Sequence, residues 1–361
     1  YVSHRADLTF LIGEMIGELN VGHAYVGGGD MPKVTPVKIG LLGARFKLDK
    51  QSGFYQITKI LEGRNWEEES RSPLTEPGLK VKEGDFIIAI DDEPLTAENH
   101  PYKALNNKAN TYVKLTINNK PSKDGAWDIY VKTINSEEKL VYLNWVENNR
   151  RYVEKATNGR IGYIHIPDMG FDNGLREFAK YFYPQLDKEG LIIDDRYNGG
   201  GNVSPLVIER LRREIGVVES ARNQEIITTT PGAVMPGPFV CLINQLSMSD
   251  GDLFPYQFKK YKLGKLIGMR SWGGVIGIRG SLPFTDGSNL YKPEFANFGA
   301  DGTWILEGTG MTPDIEVEND PAKEYQGIDQ QLDKAIQVIL EDIKTNPKQQ
   351  KPKSLPPYPK K

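Results

Sequence analysis

The chain has 361 residues with a formal net charge of −3, and 39% of its residues are hydrophobic. This length predicts two or three domains, and the near-neutral charge argues against a nucleic-acid surface or a polybasic membrane anchor. No apolar run reaches the roughly 20 residues that span a bilayer. The single cysteine, Cys241, lies in the apolar run "GPFVCLIN". It predicts a buried thiol and excludes a disulfide within the chain and a cysteine-based zinc site.

Residues 1–35 predict a helical segment followed by a glycine-rich loop. The apolar side chains of "ADLTFLIGEMIGEL" (6–19) recur at helical spacing, which predicts an amphipathic helix. The chain starts at Tyr1, without an initiator methionine or a signal-peptide pattern. We therefore expect a fragment or processed product of a longer protein. Its compartment stays open, with the cytoplasm favoured over a periplasm reached through a removed signal peptide.

Residues 36–135 change to short β-rich segments. "GFYQITKIL", "GDFIIAIDDEPL", "TYVKLTINN" and "AWDIYVKTI" read as strands, and "PYKALNN" reads as a short helix. Small strands with a short helix between them predict a compact β module.

Residues 136–344 alternate short buried strands with helices. "GRIGYIHI", "GLIIDDR" and "GPFVCLIN" predict strands, whereas "SPLVIERLRREI" and "DQQLDKAIQVILEDI" predict helices. This alternation is typical of an α/β layered core, so the predicted fold class is multi-domain α/β. The tail, residues 345–361, is rich in lysine and proline with little to bury, which predicts disorder.

The stretch "NQLSMSDGDLFPYQF" (244–258) holds two serines between a predicted strand and a predicted helix. Ser249 lies at the junction, where a hydroxyl can be presented close to the N–H groups of a helix terminus. The pattern "SDGD" is also that of a capping box, in which Ser249 only starts the helix. Ser247 has the weaker position. The stretch by itself leaves nucleophile and helix cap both open.

A serine nucleophile needs a base, and the chain has four histidines. His4 lies at the start of the chain and His100 in a predicted surface loop of the β module. His165 lies in a predicted strand, where packing is the more common role. His23, between the first helix and flexible glycines, is best placed to present its ring, although a loop histidine without a catalytic role also fits.

Two further stretches suit the stabilisation of charge. "DDRYNGGGN" (194–202) places three glycines between a predicted strand and a predicted helix, where backbone N–H groups can approach a phosphate or an oxyanion. A dinucleotide site would need G-x-G-x-x-G, which is absent. Arg196 is open between a salt bridge and a functional role. In "LEGTGMTPDIEV" (306–317), Glu307 is either a surface carboxylate or the acid that orients a catalytic histidine.

Taken in chain order, these stretches resemble one family, the tricorn-type serine peptidases of the tail-specific (C-terminal processing) protease superfamily. The resemblance covers nearly the whole chain except the tail. It rests on "YVSHRADLTFLIGEMIGELNVGHAYVGG", "EGDFIIAIDDEPLT", "GRIGYIHIPDM", "LIIDDRYNGGGN", "NQLSMSDGDLFPYQFKKYKLGKLIG", "SWGGV" and "EGTGMTPDIEV".

The resemblance implies an α/β catalytic core of the crotonase/ClpP kind. A PDZ-like module at 36–135 would be inserted between an N-terminal helical segment at 1–35 and the peptidase core at 136–344. Together these would form the C-terminal catalytic half of the longer family protein, without the β-propeller domains that precede it in tricorn.

The resemblance also implies roles for individual residues. Ser249 matches the nucleophile, His23 the general base and Glu307 the acid that supports the histidine. The N–H groups of Asp250 and Gly200 would form the oxyanion hole. Relatives with a Ser–Lys dyad carry a lysine where this chain reads "GMRSWGGV", so a histidine mechanism is the better match.

One position departs from the family pattern. In tricorn, a serine before the catalytic histidine relays between the glutamate and the imidazole, and here that position is Gly22. Either Glu307 reaches His23 directly or through water, or another hydroxyl such as that of Tyr25 takes its place. If none of these holds, the imidazole is poorly oriented and catalysis is slow.

Substrate contacts are predicted more loosely. The extended "GGVIGIRG" (273–280), which includes Gly274, can pair with a substrate backbone by strand addition or be an ordinary edge strand. The specificity pocket of tricorn contains an acidic residue. The corresponding "GVVESARN" offers Glu219 and Ser220.

We therefore expect a serine-type endopeptidase that hydrolyses peptides or unfolded polypeptide without a metal or cofactor. The main alternative is a non-catalytic protein on the same scaffold that binds peptides or an apolar ligand, and Gly22 is its best support. An acyl-CoA enzyme of the crotonase type is a third possibility, but it leaves the PDZ-like module unexplained. The expected partners are peptides, with no nucleic acid and no membrane span, and a homo-oligomer is left open.

Overall fold

The computed structural model describes nearly all of the chain up to residue 345. Two compact units are present, one formed by Lys33–Asn148 and the other by Tyr1–Pro32 with Asn149–Lys361. The smaller unit is thus an insertion in the larger one. Apart from Thr345 and four prolines, the tail predicted to be disordered lies outside the described residues, which are 2–221, 227–280, 282–345, 347, 352, 356 and 357.

Helices and strands alternate through the larger unit, whereas strands dominate the smaller one. The α-helices are α1 (Arg5–Gly17), α2 (Pro101–Ala104), α3 (Glu138–Ala156), α4 (Arg176–Phe182), α5 (Ser204–Leu211), α6 (Asp250–Lys260), α7 (Pro321–Tyr325) and α8 (Gln330–Thr345). The strands are β1 (Tyr25–Gly28), β2 (Ala44–Leu48), β3 (Tyr55–Ile60), β4 (Phe86–Ile90), β5 (Glu93–Pro94), β6 (Tyr112–Asn118), β7 (Trp127–Lys132), β8 (Ile161–His165), β9 (Gly190–Asp194), β10 (Val217–Ser220), β11 (Ile227–Thr230), β12 (Phe239–Ile243), β13 (Gly264–Gly268), β14 (Gly277–Arg279), β15 (Ser288–Phe295) and β16 (Ile315–Glu316).

An antiparallel sheet organises the smaller unit. Its strand order is β2-β3-β4-β6-β7, with β5 paired to β4. Alternate side chains of a strand point to opposite faces, and on β6 the buried apolar side chains are Val113, Leu115 and Ile117. These side chains form one core with apolar residues of the neighbouring strands. The β-rich character predicted for this part of the chain is confirmed.

A parallel sheet organises the larger unit, with the order β16-β13-β12-β9-β8. Every residue of β8, β9 and β12 is buried, as expected for parallel strands covered on both faces. Helix α8 packs on β9, β12 and β13, while α4 packs on β8 and α6 on β13. The predicted α/β core is confirmed, and Cys241 on β12 is a free, fully buried thiol.

The topology of this sheet brings two of the predicted stretches together. β9 and β12 are parallel neighbours, with Leu242 opposite Asp194. Their carboxyl ends therefore meet at the same edge of the sheet, where open α/β sheets place ligand sites. The glycine loop follows β9, and the Ser249 turn follows β12.

The N-terminal helix packs on a separate three-stranded sheet, whose strand order is β1-β15-β14. Helix α1 forms where predicted and packs on β1, but none of its side chains is buried. The exposed fractions of Leu8, Leu11 and Met15 are 37%, 48% and 67%. The predicted helix is thus confirmed, whereas its expected amphipathic character is not, since no face of it is buried.

The sequence predicts no segment that spans a membrane. Within the described ranges, no helix combines the length and the hydropathy needed to cross a bilayer.

Candidate active site

Ser249 occupies the turn between β12 and α6 with a strained backbone. Its φ of 59° and ψ of −114° are uncommon for a residue with a side chain and cost on the order of 1–3 kcal/mol. Ser249 is the N-cap of α6, and its N–H donates to the Asp252 carboxylate at 2.8 Å. The predicted capping box is present, but an ordinary N-cap has an extended backbone. Capping alone therefore does not account for this conformation.

Asp250 directs its carboxylate to the start of α5. One oxygen accepts from the N–H of Ser204 at 2.9 Å, and the other accepts from the Ser204 hydroxyl. The Asp250 N–H lies in the first turn of α6, where such groups have no acceptor within the helix. Its nitrogen is 3.4 Å from the position that a Cβ on Gly200 would take. The backbone, rather than the carboxylate, is thus the part of Asp250 that faces the glycine loop.

Gly200 lies directly against the Ser249 turn. A Cβ at this position would be 2.7 Å from the Ser249 Cβ and 2.8 Å from the carbonyl oxygen of Met248, so only glycine allows the approach. Its N–H donates to Oδ1 of Asn198 at 2.9 Å. The loop is where the sequence predicts it, and the N–H that was predicted to face an oxyanion donates here to an internal acceptor.

Asn198 is a residue that sequence reasoning missed. Its Nδ2 donates to the carbonyl oxygen of Ile166 and to Oδ1 of Asp195, and its own carbonyl oxygen accepts from the N–H of Met248 at 2.9 Å. It therefore fixes both the glycine loop and the Ser249 turn. The available signal was an amide side chain directly before three glycines, which a local pattern assigns to a turn.

His23 is half-buried and held mainly by aromatic rings. The ring of Trp272 meets it edge-on at 5.5 Å between centroids, and that of Tyr25 does so at 6.1 Å. Among the described residues, its buried Nδ1 has no hydrogen-bond partner. Burial lowers the pKa of His23, and the negative charge of Glu307 partly opposes this. The neutral imidazole is therefore favoured at neutral pH, as a general base requires.

Glu307 reaches the backbone of the histidine loop. Oε1 accepts from the N–H of Gly22 at 3.1 Å, and Oε2 accepts from the N–H groups of Val275 and Ile276 at 2.7 and 2.9 Å. Three backbone donors thus fix the carboxylate beside the loop that carries His23. Tyr25, the predicted substitute for the relay hydroxyl, meets His23 through its ring.

The missing side chain at Gly22 has a packing reason. A Cβ there would lie 2.7 Å from the Cα of Gly274 and 3.3 Å from the Trp272 ring. A contact of 2.7 Å to backbone requires a shift of one segment. Glycine at position 22, where the family pattern has serine, therefore accompanies a close approach of two backbones. The same approach places Gly274, a predicted substrate-binding residue, against the histidine loop.

Asp252 connects the two halves of this region. Besides the Ser249 N–H, its carboxylate accepts from the N–H of Gly273 at 2.8 Å and from the Ser271 hydroxyl. It joins the Ser249 turn to the segment that packs on Gly22 and His23. The sequence alone identifies Asp252 only as the acidic member of a capping box.

Asp195 is one of several buried acidic side chains near the glycine loop and the Ser249 turn. Burial raises the pKa of Asp195 well above its usual range, and the negative charges of Asp252 and Asp194 add to this. Oδ2 of Asp195 has no hydrogen-bond partner among the described residues, which favours its neutral form. Within the described residues as a whole, no group of three or more His, Cys, Asp or Glu side chains could hold a metal ion.

Three other candidates have structural roles. His165 is buried, with Nε2 2.8 Å from the carbonyl oxygen of Arg196. Arg196 is itself buried and forms ion pairs with Asp194 and Asp329. The Ser247 hydroxyl donates to the carbonyl oxygen of Asp195 at 2.8 Å and accepts from the N–H of Asn244. The packing role expected for His165 and the local structural role expected for Ser247 are seen.

The two candidate specificity residues lie elsewhere in the topology. Glu219 and Ser220 are on β10, which pairs only with β11 in a two-stranded antiparallel sheet of the described residues. That hairpin is not part of either sheet that carries the residues around Ser249 and His23. The structure therefore does not add support for these two positions.

Comparison with known proteins identifies both parts of the chain. Residues 160–317 match the model of peptidase family S41, and residues 40–136 match that of the tricorn protease PDZ domain. The chain is 39% identical over 342 residues to a tricorn protease homolog of Saccharolobus solfataricus and 38% identical over 341 residues to the tricorn protease of Thermoplasma acidophilum. These alignments cover 95% and 94% of this chain, but 31% of each relative.

The fold has a close match among solved structures. A crystal structure of the tricorn protease superposes with a TM-score of 0.88 at 37% identity, covering 95% of this chain and 33% of that one. The chain thus spans about a third of the length of the relatives it matches, and both its sequence and its fold agree with that third. It belongs to the tricorn-type serine peptidases of peptidase family S41.

Proposed function

We propose that this chain hydrolyses peptide bonds as a serine peptidase with Ser249 as nucleophile and His23 as general base. The observation that carries the proposal is the Ser249 turn itself. A strained serine stands at the start of a helix, with the N–H of Asp250 and the glycine loop beside it. Helix N-termini stabilise negative charge, so this position suits an alkoxide and an oxyanion.

Bond changes in the proposed reaction follow the acyl-enzyme route. His23 takes the proton from the Ser249 hydroxyl as its oxygen bonds to the substrate carbonyl carbon. The C–N bond then breaks, and the imidazolium returns the proton to the leaving amine. Water, deprotonated by His23, next attacks the ester and frees the acid and Ser249.

Charge on the substrate oxygen would be stabilised chiefly by the Asp250 N–H. A single donor of this kind is worth about 10²- to 10³-fold in rate. Gly200 contributes the close approach of its backbone. Its N–H would have to share the bond it gives to Asn198 in order to act as a second donor.

Glu307 supports His23 through the loop and through its charge. Its carboxylate holds the Gly22 N–H at 3.1 Å and opposes the fall in the His23 pKa. It would therefore stabilise the imidazolium that forms during each proton transfer. Trp272 and Tyr25 restrict the ring orientation in the absence of a relay hydroxyl.

Substrates of the proposed peptidase are extended peptides or unfolded polypeptide. Among the described strands, β14 (Gly277–Arg279) pairs only with β15 and ends its sheet. It leads from the Glu307-bound residues Val275 and Ile276. Strand addition along such an edge uses the substrate backbone and needs no chain terminus, which supports cleavage within a chain, that is, an endopeptidase.

Covalent labelling tests the proposed nucleophile. A fluorophosphonate should form one adduct per chain, and mass mapping of peptides should place it on Ser249, because the reagent requires an activated serine beside an oxyanion site. Prior denaturation supplies the control, since it destroys the geometry. An adduct on another residue, or none on the folded chain, would overturn the proposal.

The pH dependence of kcat/KM should report His23. Its pKa is lowered from the usual 6.5 by burial, and only the neutral ring acts as base, so activity should rise with pH to half its maximum below pH 6.5. Glu307→Gln removes the charge that opposes this shift and should move the midpoint to still lower pH. A profile measured between pH 4 and 8 checks both. A midpoint above pH 6.5, or an upward shift in the variant, contradicts the assignment.

A further inference from the structure

Asp252 has more hydrogen-bond donors than a helix cap requires. We propose that Asp252 is a positioning residue that holds the nucleophile turn and the histidine-supporting segment in register, with Ser271 as its partner. This inference rests on the proposed peptidase function of Ser249 and His23. It assigns to the site two residues that make no contact with the reacting atoms themselves.

The two oxygens of the Asp252 carboxylate address different segments. Oδ2 accepts from the N–H of Ser249 at 2.8 Å, which is the bond of the capping box. Oδ1 accepts from the N–H of Gly273 at 2.8 Å and from the hydroxyl of Ser271. A cap accounts for the first bond alone. The other two bonds reach residues 19 and 21 positions further along the chain.

Ser271 extends this connection to the segment that carries Glu307. Its hydroxyl accepts from the N–H of Met311 at 2.7 Å while donating to Asp252. The N–H of Gly308 donates to the carbonyl oxygen of Gly273 at 2.7 Å. The segment 271–276 is thereby fixed on one side to Ser249 and on the other to the residues around Glu307.

The same segment forms the support of His23. Trp272 packs edge-on against the His23 ring at 5.5 Å, and Gly274 lies against Gly22. The N–H of Trp272 donates to the carbonyl oxygen of Ser247 at 3.0 Å. A displacement of Ser249 relative to residues 271–276 is therefore a displacement relative to His23, and Asp252 is the side chain that opposes it.

The buried carboxylate of Asp252 carries a desolvation cost. Asp252 and Ser271 are both fully buried. Burial raises the pKa of Asp252, while hydrogen bonds from Ser271, Gly273 and Ser249 oppose the shift. A buried acceptor that satisfies several donors fixes their relative positions tightly, whereas an amide in its place would have to present N–H to N–H at one of them.

Asp252→Asn tests the proposal, with Asp314→Asn as the control for the loss of a carboxylate that accepts a backbone N–H. Asp314 also accepts a backbone N–H, from Leu266 at 2.9 Å, but it lies outside the site. For Asp252→Asn, kcat and the rate of fluorophosphonate labelling should fall by about 10²-fold, as for a misplacement of about 1 Å. KM should change less than about threefold because the substrate contacts remain. The control should keep both rates within about threefold of wild type.

Ser271→Ala provides a second, milder variant. It keeps the Ser249 and Gly273 bonds of Asp252, so a loss of about tenfold in kcat is expected, and the double variant should be no slower than Asp252→Asn, because both act through one connection. All rates are measured well below each variant's Tm. Labelling of Asp252→Asn at the wild-type rate, or a loss confined to KM, would overturn the positioning role.

Three further outcomes keep the test decisive. If Asp252→Asn does not fold, Ser271→Ala decides alone, and its labelling at the wild-type rate overturns the role. If wild-type protein itself is not labelled at Ser249, the proposed peptidase function fails. Labelled wild type with unaffected variants instead refutes only Asp252.

Discussion

Replacing Ser249 by alanine is expected to lower kcat/KM for peptide hydrolysis by about 10⁶-fold, the scale seen when a serine peptidase loses its nucleophile. No acyl-enzyme can form without the hydroxyl, and the residual rate would come from substrate binding and the Asp250 N–H alone. The backbone of the turn should persist, since Asp252 binds the Ser249 N–H rather than the side chain. Initial rates on a peptide library, at equal protein concentration, measure the loss.

Ser247→Ala is the matched control in the same stretch. Its hydroxyl bonds to the carbonyl oxygen of Asp195 and to the Asn244 N–H, so its removal should cost about 1–3 kcal/mol of unfolding free energy as a buried hydrogen-bonding group. The rate should stay within about threefold of wild type. Hydrolysis that survives Ser249→Ala at more than one part in a thousand would rule out Ser249 as nucleophile.

Replacing His23 by alanine is expected to cost nearly as much, about 10⁶-fold in kcat/KM. The Ser249 hydroxyl would keep its proton at neutral pH, and the leaving amine would lack an acid. Nucleophile and base act as one unit, so the Ser249→Ala/His23→Ala double variant should be no slower than either single variant. The same peptide assay measures this non-additivity.

His100→Ala provides the comparison for His23→Ala. His100 is a helix-capping residue of the smaller unit, where its Nδ1 accepts from the Lys103 N–H at 3.2 Å. Its loss removes a helix cap of the smaller unit, and activity should be unchanged within about threefold. If both histidine variants lose activity alike, the assignment of the base to His23 fails. A His23→Ala enzyme with a tenth of the wild-type rate would have the same consequence.

Periodicity and composition predicted most of the fold. The apolar runs of β8, β9 and β12 lie in the parallel sheet, and the alternating segments of the smaller unit pair as an antiparallel sheet. Helix α1 shows where such patterns stop. Its apolar spacing correctly predicts a helix. How much of the helix is buried depends on the surface that β1 offers, and the helix sequence does not specify that surface.

The candidate site was predictable only as separate pieces. Ser249, His23 and Glu307 were named from local context and family resemblance, and their catalytic roles stay predictions until variants are tested. Asn198 and Asp252 were overlooked because each matches a common local pattern, a turn and a cap. Their importance lies in bonds to other segments, such as that from Asn198 to Met248.

The sequence by itself determined the main strands and helices of the two units, the β-rich character of residues 36–135, and which residue types are present for acyl transfer. Tertiary structure decided their relations: the Gly200 N–H is given to Asn198, and Gly22 approaches Gly274 too closely for a side chain. Glu307 binds a backbone N–H 285 positions away. The physical reason is that propensity and burial patterns are local properties of the chain, whereas hydrogen bonds and close approaches between distant segments are set only when the sheets and helices pack.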